Sequence, residues 1–157
     1  MAAAMVLLAA VSAGAARARP ARAARALAFE TISEGPASGL DRPMRSVIRS
    51  AAQLAALWKQ HARMEEPAPK APPVDFSREA VVVVALGRKP SAGYTVKVTR
   101  IEQLPDETLV HVRQTRPSPD AVTAQMITHP HHMVRIPRPR GAVRFVDDEA
   151  ATDTGPR

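Results

Sequence analysis

Val81-Val82-Val83-Val84-Ala85-Leu86-Gly87-Arg88-Lys89-Pro90-Ser91-Ala92-Gly93-Tyr94-Thr95-Val96-Lys97-Val98 is the stretch on which the fold class turns. Its first half, opened by Glu79-Ala80, is a continuous apolar run rich in β-branched residues. That is the pattern of a strand covered on both faces. From Tyr94 to Ile101 the pattern alternates, with Tyr94, Val96 and Val98 on one side and Thr95, Lys97 and Thr99 on the other. Between the two, Pro90, Ser91, Ala92 and Gly93 form a turn, where glycine tolerates positive φ or a close backbone approach. One reading is a tight hairpin whose Tyr94 closes the core. The other is a loop that offers Pro90–Tyr94 to a protein partner, tyrosine being favoured at interfaces. No catalytic motif lies on the stretch or beside it.

Working outward, Thr108–Gln114 alternates again, with Val110 and Val112 opposite Leu109, His111 and Arg113. Val122–Thr128 and His132–Ile136 read as strands or strand-like, Val143–Phe145 as a closing strand, and Phe29–Ile32 as a short opening one. Gly35–Pro43, Pro67–Pro73 and Pro117–Asp120 read as loop or extended linker, because proline removes donors and fixes φ. Ser46–Arg63 carries the one strong helix signal. Ser50 and Gln53 fit a capping box, and Leu54, Leu57 and Trp58 follow at helical spacing with Ala51 and Ala62. On that stripe Trp58 is expected to anchor the core. The pattern predicts an α+β fold: one helix (about residues 48–63) packed on a small, mostly antiparallel sheet or sandwich of about five to seven strands. The length of 157 residues allows one domain. We expect it over 29–146, after an Ala/Arg-rich N-terminus (1–28) and before a polar tail (147–157).

The formal net charge is +7. Arg17, Arg19, Arg22 and Arg25 crowd into residues 1–28, which hold no acid, so much of the basicity is N-terminal. Aromatic residues are few and not interleaved with Lys or Arg, which argues against a nucleic-acid partner. No cysteine is present, which excludes disulfides, thiolate nucleophiles and Cys-based metal sites. Met5–Val11 is apolar and is followed by small residues, with A-x-A-like sites at Ala13-Gly14-Ala15 and Ala26-Leu27-Ala28. This resembles a secretory signal peptide, although no Lys or Arg precedes the apolar run. Export to the bacterial periplasm, envelope or medium is therefore expected, and the run is too short for a stable membrane span.

His129-Pro130-His131-His132 is the densest group of possible ligands. In an extended chain His129 and His131 share a face and are the pair that could bind metal or a small ligand. No carboxylate stands at a ligand offset, so the expected state is a proline-stiffened loop with exposed or partly packed histidines and no cofactor. Ser91 lacks the G-x-S-x-G elbow of a nucleophile. Glu65-Glu66 and Asp147-Asp148 are adjacent solvated carboxylates, not an acid/base pair. No phosphate or dinucleotide fingerprint occurs, and no enzyme is expected.

The order of motifs resembles a known family. Leu57-Trp58 on a helix is followed by Pro-x-Val-Asp-Phe (Pro72–Phe76), a Val-rich strand ending in Gly87, and Pro-Ser-Ala-Gly-Tyr-x-Val (Pro90–Val96). Then come prolines at 117 and 119 and Thr-His-Pro-His-His-Met-Val-Arg-Ile-Pro (Thr128–Pro137). This is similar to the C-terminal domain of the PrcB family, named for a subunit of a bacterial subtilisin-like protease complex, over roughly Val47–Phe145. The family turn usually reads Thr-Gly-Gly-Tyr, and here it is Ser91-Ala92-Gly93-Tyr94. The resemblance implies an exported, β-rich, non-catalytic domain that stabilises or accompanies a protease. A weaker likeness to chagasin-type protease inhibitors rests on the same turn and would imply an inhibitor-like module. The Gly-rich and Pro-Trp loops of those inhibitors have no counterpart here.

Overall fold

The computed structural model describes residues 24–148. The chain forms β1 (Arg25–Ala26), β2 (Glu30–Gly35), β3 (Pro43–Ile48), α1 (Ala51–His61) with a 3-10 turn at Ala62–Met64, and β4 (Glu79–Leu86). Then follow β5 (Thr95–Gln103), β6 (Glu107–Thr115), β7 (His131–Pro137) and β8 (Ala142–Asp147). They make two four-stranded sheets, β1-β5-β6-β8 and β2-β7-β4-β3. Every pairing is antiparallel except β6 with β8. That parallel pair needs a crossover, and here the crossover carries β7 through the other sheet.

β4 is buried on both faces for a reason its sequence announces. Val82 and Val84 enter the apolar layer between the sheets, with Val96, Val98, Val110, Val112, Val134 and Ile136. Val81, Val83 and Ala85 face the other way, against Leu54, Leu57 and Trp58 of α1. The order is therefore helix, sheet, sheet. Ser50 caps α1 as its sequence suggests: its Oγ accepts from Gln53 N–H at 3.3 Å, and Gln53 Oε1 accepts from Arg49 N–H at 2.9 Å. Trp58 is a core anchor, and its indole N–H donates to Pro69 C=O at 2.8 Å, which pins the proline-rich linker to the helix.

The structure corrects several expectations. Eight strands form rather than five to seven. Ser46–Ile48 belongs to β3, not to the helix, because it pairs with the middle of β4 at Ser46↔Val83 and Ile48↔Val81. Pro43 is tolerated at the start of this edge strand. Residues 122–127 are not strand: Val122 is fully exposed, Met126 and Ile127 half-exposed, and only Thr128 makes an isolated bridge, to Lys89. β4 and β5 do not form a hairpin, since they belong to different sheets. Gly87, at φ +67, lets the chain leave β4. A Cβ there would lie 2.7 Å from Pro43 N and 2.8 Å from Asp41 O. Two elements cross the expected limits: Arg25–Ala26 pairs with β5, and β8 reaches Asp147. The signal-peptide reading of residues 1–23 and the tail beyond 148 lie outside the described residues. Among the described residues no helix is long and apolar enough to cross a membrane.

Val83→Ala is expected to cost about 2–3 kcal/mol, since Val83 has no exposed surface and α1 cannot collapse onto the gap. Val122→Ser is expected to change stability by less than about 0.5 kcal/mol. Urea unfolding of the two variants checks both, and a large loss at Val122 would restore a strand there.

Candidate partner-binding site at the loop end of the sandwich

Three segments meet at one end of the sandwich: the crossing segment 87–94, the loop 116–130, and the end of β2 at Gly35-Pro36. They are laced by backbone bonds. Lys89 and Thr128 exchange N–H···O=C bonds of 2.7 and 3.0 Å, Ala92 N–H donates to Ala124 C=O at 3.0 Å, and His129 N–H donates to Pro36 C=O at 2.6 Å. Thr128 Oγ1 donates to Ser91 C=O at 3.0 Å. The predicted turn residues are therefore strapped down rather than projecting. Ser91 is buried, Ala92 and Tyr94 are half-buried, and Pro90 and Gly93 are exposed. Gly93 has φ +91, and a Cβ there would sit 3.0 Å from Pro117 Cβ. Tyr94 leans on the inter-sheet core with Lys89 Nζ 5.7 Å from its ring centroid.

Two concavities open here, on either side of Pro36. One, of about 350 Å³, lies between Tyr94–Lys97 and Glu34–Pro36, with Pro130 and His131 also lining it. The other, of about 530 Å³, includes Met64, Met126, Ile127, Arg63 and Arg88. The apolar residues that resemble a strand in sequence are thus exposed lining of a groove.

The histidines do not form the expected loop cluster. His129 lies against Asp41, 3.1 Å from Nε2 to Oδ1. His131 and His132 are both buried on β7 and face opposite sides of their sheet. His131 Nε2 meets Ser33 Oγ at 2.8 Å, and Ser33 Oγ also meets His61 Nε2 at 3.1 Å. His61 Nδ1 meets Ser38 Oγ at 2.9 Å. The two imidazoles pack edge-on at 4.6 Å, and His131 Nδ1 is buried without a partner among the described residues. On the other face, His132 Nδ1 accepts from Val98 N–H at 2.9 Å and its Nε2 meets Thr31 Oγ1 at 2.8 Å. His129 and His131 are held by different partners. Among the described residues no group of three His, Asp or Glu could hold a metal.

Burial pushes His61 and His132 below the ordinary imidazole value. It pushes His131 to about 4, helped by the neighbouring His61. Ser33 with two histidines is a group that sequence reasoning missed. The one signal was His61, seven residues after Leu54 on the buried stripe of α1. Ser33–His61 has a nucleophile–base distance, but both histidines at Ser33 are weakened as bases, and the outer nitrogen of His61 is held by a serine rather than a carboxylate. His111, on the interior strand β6 of the other sheet, sits between Glu102 Oε2 at 2.9 Å and Asp148 Oδ1 at 3.1 Å, with Arg100 against its ring. Both its nitrogens are occupied, the arrangement of a structural cross-link between β5, β6 and the end of β8.

The segment from β4 to β7 contains both loops of this end and the two histidine-bearing faces. Residues 80–137 match the family described as PrcB C-terminal. That stretch is assigned to the PrcB C-terminal family. The match is narrower than the similarity read from sequence, and leaves out β1, β2, β3, α1 and β8. No curated protein and no solved structure matches the chain.

The buried histidines of this domain set a pH dependence. Unfolded, they take up protons near 6.5; folded, they resist. Stability is therefore complete above 6.5 and falls as pH drops towards about 4, where His131 protonates in place. His131 alone accounts for about 3 kcal/mol of that fall. Urea midpoints at neutral pH and at about pH 5 should differ clearly in the wild type and less in His131→Leu. An equal fall in both would show that His131 is not the source.

Proposed function

We propose that this domain is a non-catalytic binding module, exported to the bacterial envelope, that accompanies or stabilises a protease of the subtilisin-like class. The observation that carries the reading is that the PrcB C-terminal match spans β4 to β7, the stretch that builds the loop end. The loop end has what a binding surface needs. It is braced by backbone bonds, it presents Tyr94 and Gly93 beside one concavity, and it exposes Met126 and Ile127 beside a second. Aromatic and methionine side chains are enriched at such interfaces. The contact is placed on Pro90–Tyr94 and the neighbouring loop 116–130.

The inhibitor-like alternative has only Pro90 and Gly93 exposed on the turn and no counterpart of the other two inhibitor loops in the sequence. The metal-binding alternative loses its support in the separate partners of His129 and His131. The test is direct. The full chain is immobilised and exposed to envelope fractions, with Tyr94→Ala as the control. A protease is expected in the wild-type eluate and is expected to fall about tenfold or more in the variant, as for loss of an interface tyrosine. Repeated recovery of no protease would sink the accessory reading.

A further inference from the structure

One edge of the β1-β5-β6-β8 sheet is only partly covered. β1 pairs with Gln103 and Glu102, Leu27 N–H donates to Ile101 C=O at 2.8 Å, and the chain then leaves for β2 in the other sheet. Among the described residues no strand lies beside Tyr94–Val98 on that side.

Two bonds fix where the backbone groups of this open stretch point. Val98 N–H donates to His132 Nδ1, away from β6. Opposite it, Val112 C=O accepts from Asp148 N–H at 2.8 Å, away from β5. Val98↔Val112 is thus a non-hydrogen-bonded pair, and by alternation so is Val96↔Gln114. Val96 N–H and C=O, with Val98 C=O, therefore point out of the sheet edge. His132 occupies the one neighbouring donor.

The concavity of about 350 Å³ opens beside this edge, between Tyr94–Lys97 and Glu34–Pro36. It lies along the line that β1 would follow if it continued past Leu27. Lys97 Nζ lies 3.6 Å from Glu34 Oε2 across the gap between the sheets, with both side chains largely exposed. A pair of that kind is worth about 0–1 kcal/mol and does not hold the gap shut.

We propose that Tyr94–Val98 is a strand-addition site. An extended segment of a partner protein lies along this edge, exchanges backbone hydrogen bonds with Val96, and places an apolar side chain in the concavity below. This rests on the binding-module reading and names the way the module binds. The occupant is an extended backbone because the groups left open are the N–H and C=O of Val96 and the C=O of Val98, a pattern another strand matches. The chain's own Arg25–Leu27 already lies on the same line. The side chain is apolar because Pro36, Ala92, Tyr94, Val96 and Pro130 line much of the space it would enter.

The test uses the full chain and a displayed library of random linear peptides. Enriched peptides are expected to slow hydrogen exchange at the Val96 amide and leave the β6 amides unchanged. They are expected to bind Ala92→Trp, which fills the concavity, about tenfold or more weakly. Val96→Pro, which removes the outward donor and spares the β6 ladder, should act the same way. The exchange measurement needs no variant, so a misfolded variant leaves it intact. Absence of enriched peptides, or peptides that leave Val96 exchange unchanged, would overturn the proposal. So would equal binding to a folded Ala92→Trp. If a protease is captured equally by wild type and Ala92→Trp, strand addition fails while the accessory reading stands. If peptides occupy the edge and no protease is ever captured, the accessory reading fails and the edge site stands.

Discussion

Everything in this fold depends on burying β4 from two sides at once. A strand whose successive side chains are all apolar has no face to give to water, so a single sheet with one solvated side cannot hold it. The chain meets this by placing the β1-β5-β6-β8 sheet over one face and α1 over the other. β3 and β7 then flank β4 and complete its hydrogen bonding. Given that arrangement, β5 cannot also lie beside β4. Both neighbouring positions are taken, and its own valines are needed across the interface. The segment 87–94 must then cross between sheets, and its position at the end of the sandwich follows.

The histidines of β7 are a second consequence of the same burial. β7 is also covered on both faces, yet it begins with two consecutive imidazoles. Each is tolerated because a hydroxyl from β2 reaches it, Ser33 for His131 and Thr31 for His132. A further backbone donor, Val98 N–H, comes to His132 from the facing sheet. An unpaired polar atom in such a place costs about 1–3 kcal/mol, which is what these contacts offset. The neutral imidazole is the form this environment accepts. The result is a domain whose central packing is most secure when these rings are unprotonated.

How much of this was legible in the sequence varies with the kind of interaction. β4, β5, β6 and the capped helix were readable because period and capping chemistry are local. Pro43–Ile48 was not, since an edge strand half open to water shows no clean alternation, and its pairing with β4 is set at long range. Val122, Met126 and Ile127 misled for the opposite reason: apolar composition suggests burial, but nothing forces a loop braced at Ala124 and Thr128 to bury its side chains. The turn at Pro90–Gly93 was readable as a turn, but no local feature distinguishes a hairpin from a crossing between sheets. Ser33 and His131 are far apart in sequence, and only the register of β2 on β7 brings them together.

The candidate site is placed by what the fold leaves incomplete. A sandwich needs edges, and edges are normally blunted. Here one edge is covered by β1 for two residues and by Leu27, and His132 then takes the donor of Val98. Beyond that point the chain has been drawn away to form β2, because β7 needs a neighbour and its histidines need hydroxyls. The same diversion that satisfies His131 and His132 therefore leaves Val96 facing an open gap. The lacing of 87–94 to 116–130, with His129 bonded to Pro36, braces one end of that gap. The binding role proposed for this end rests on the way two neighbouring strands compete for the same short piece of chain.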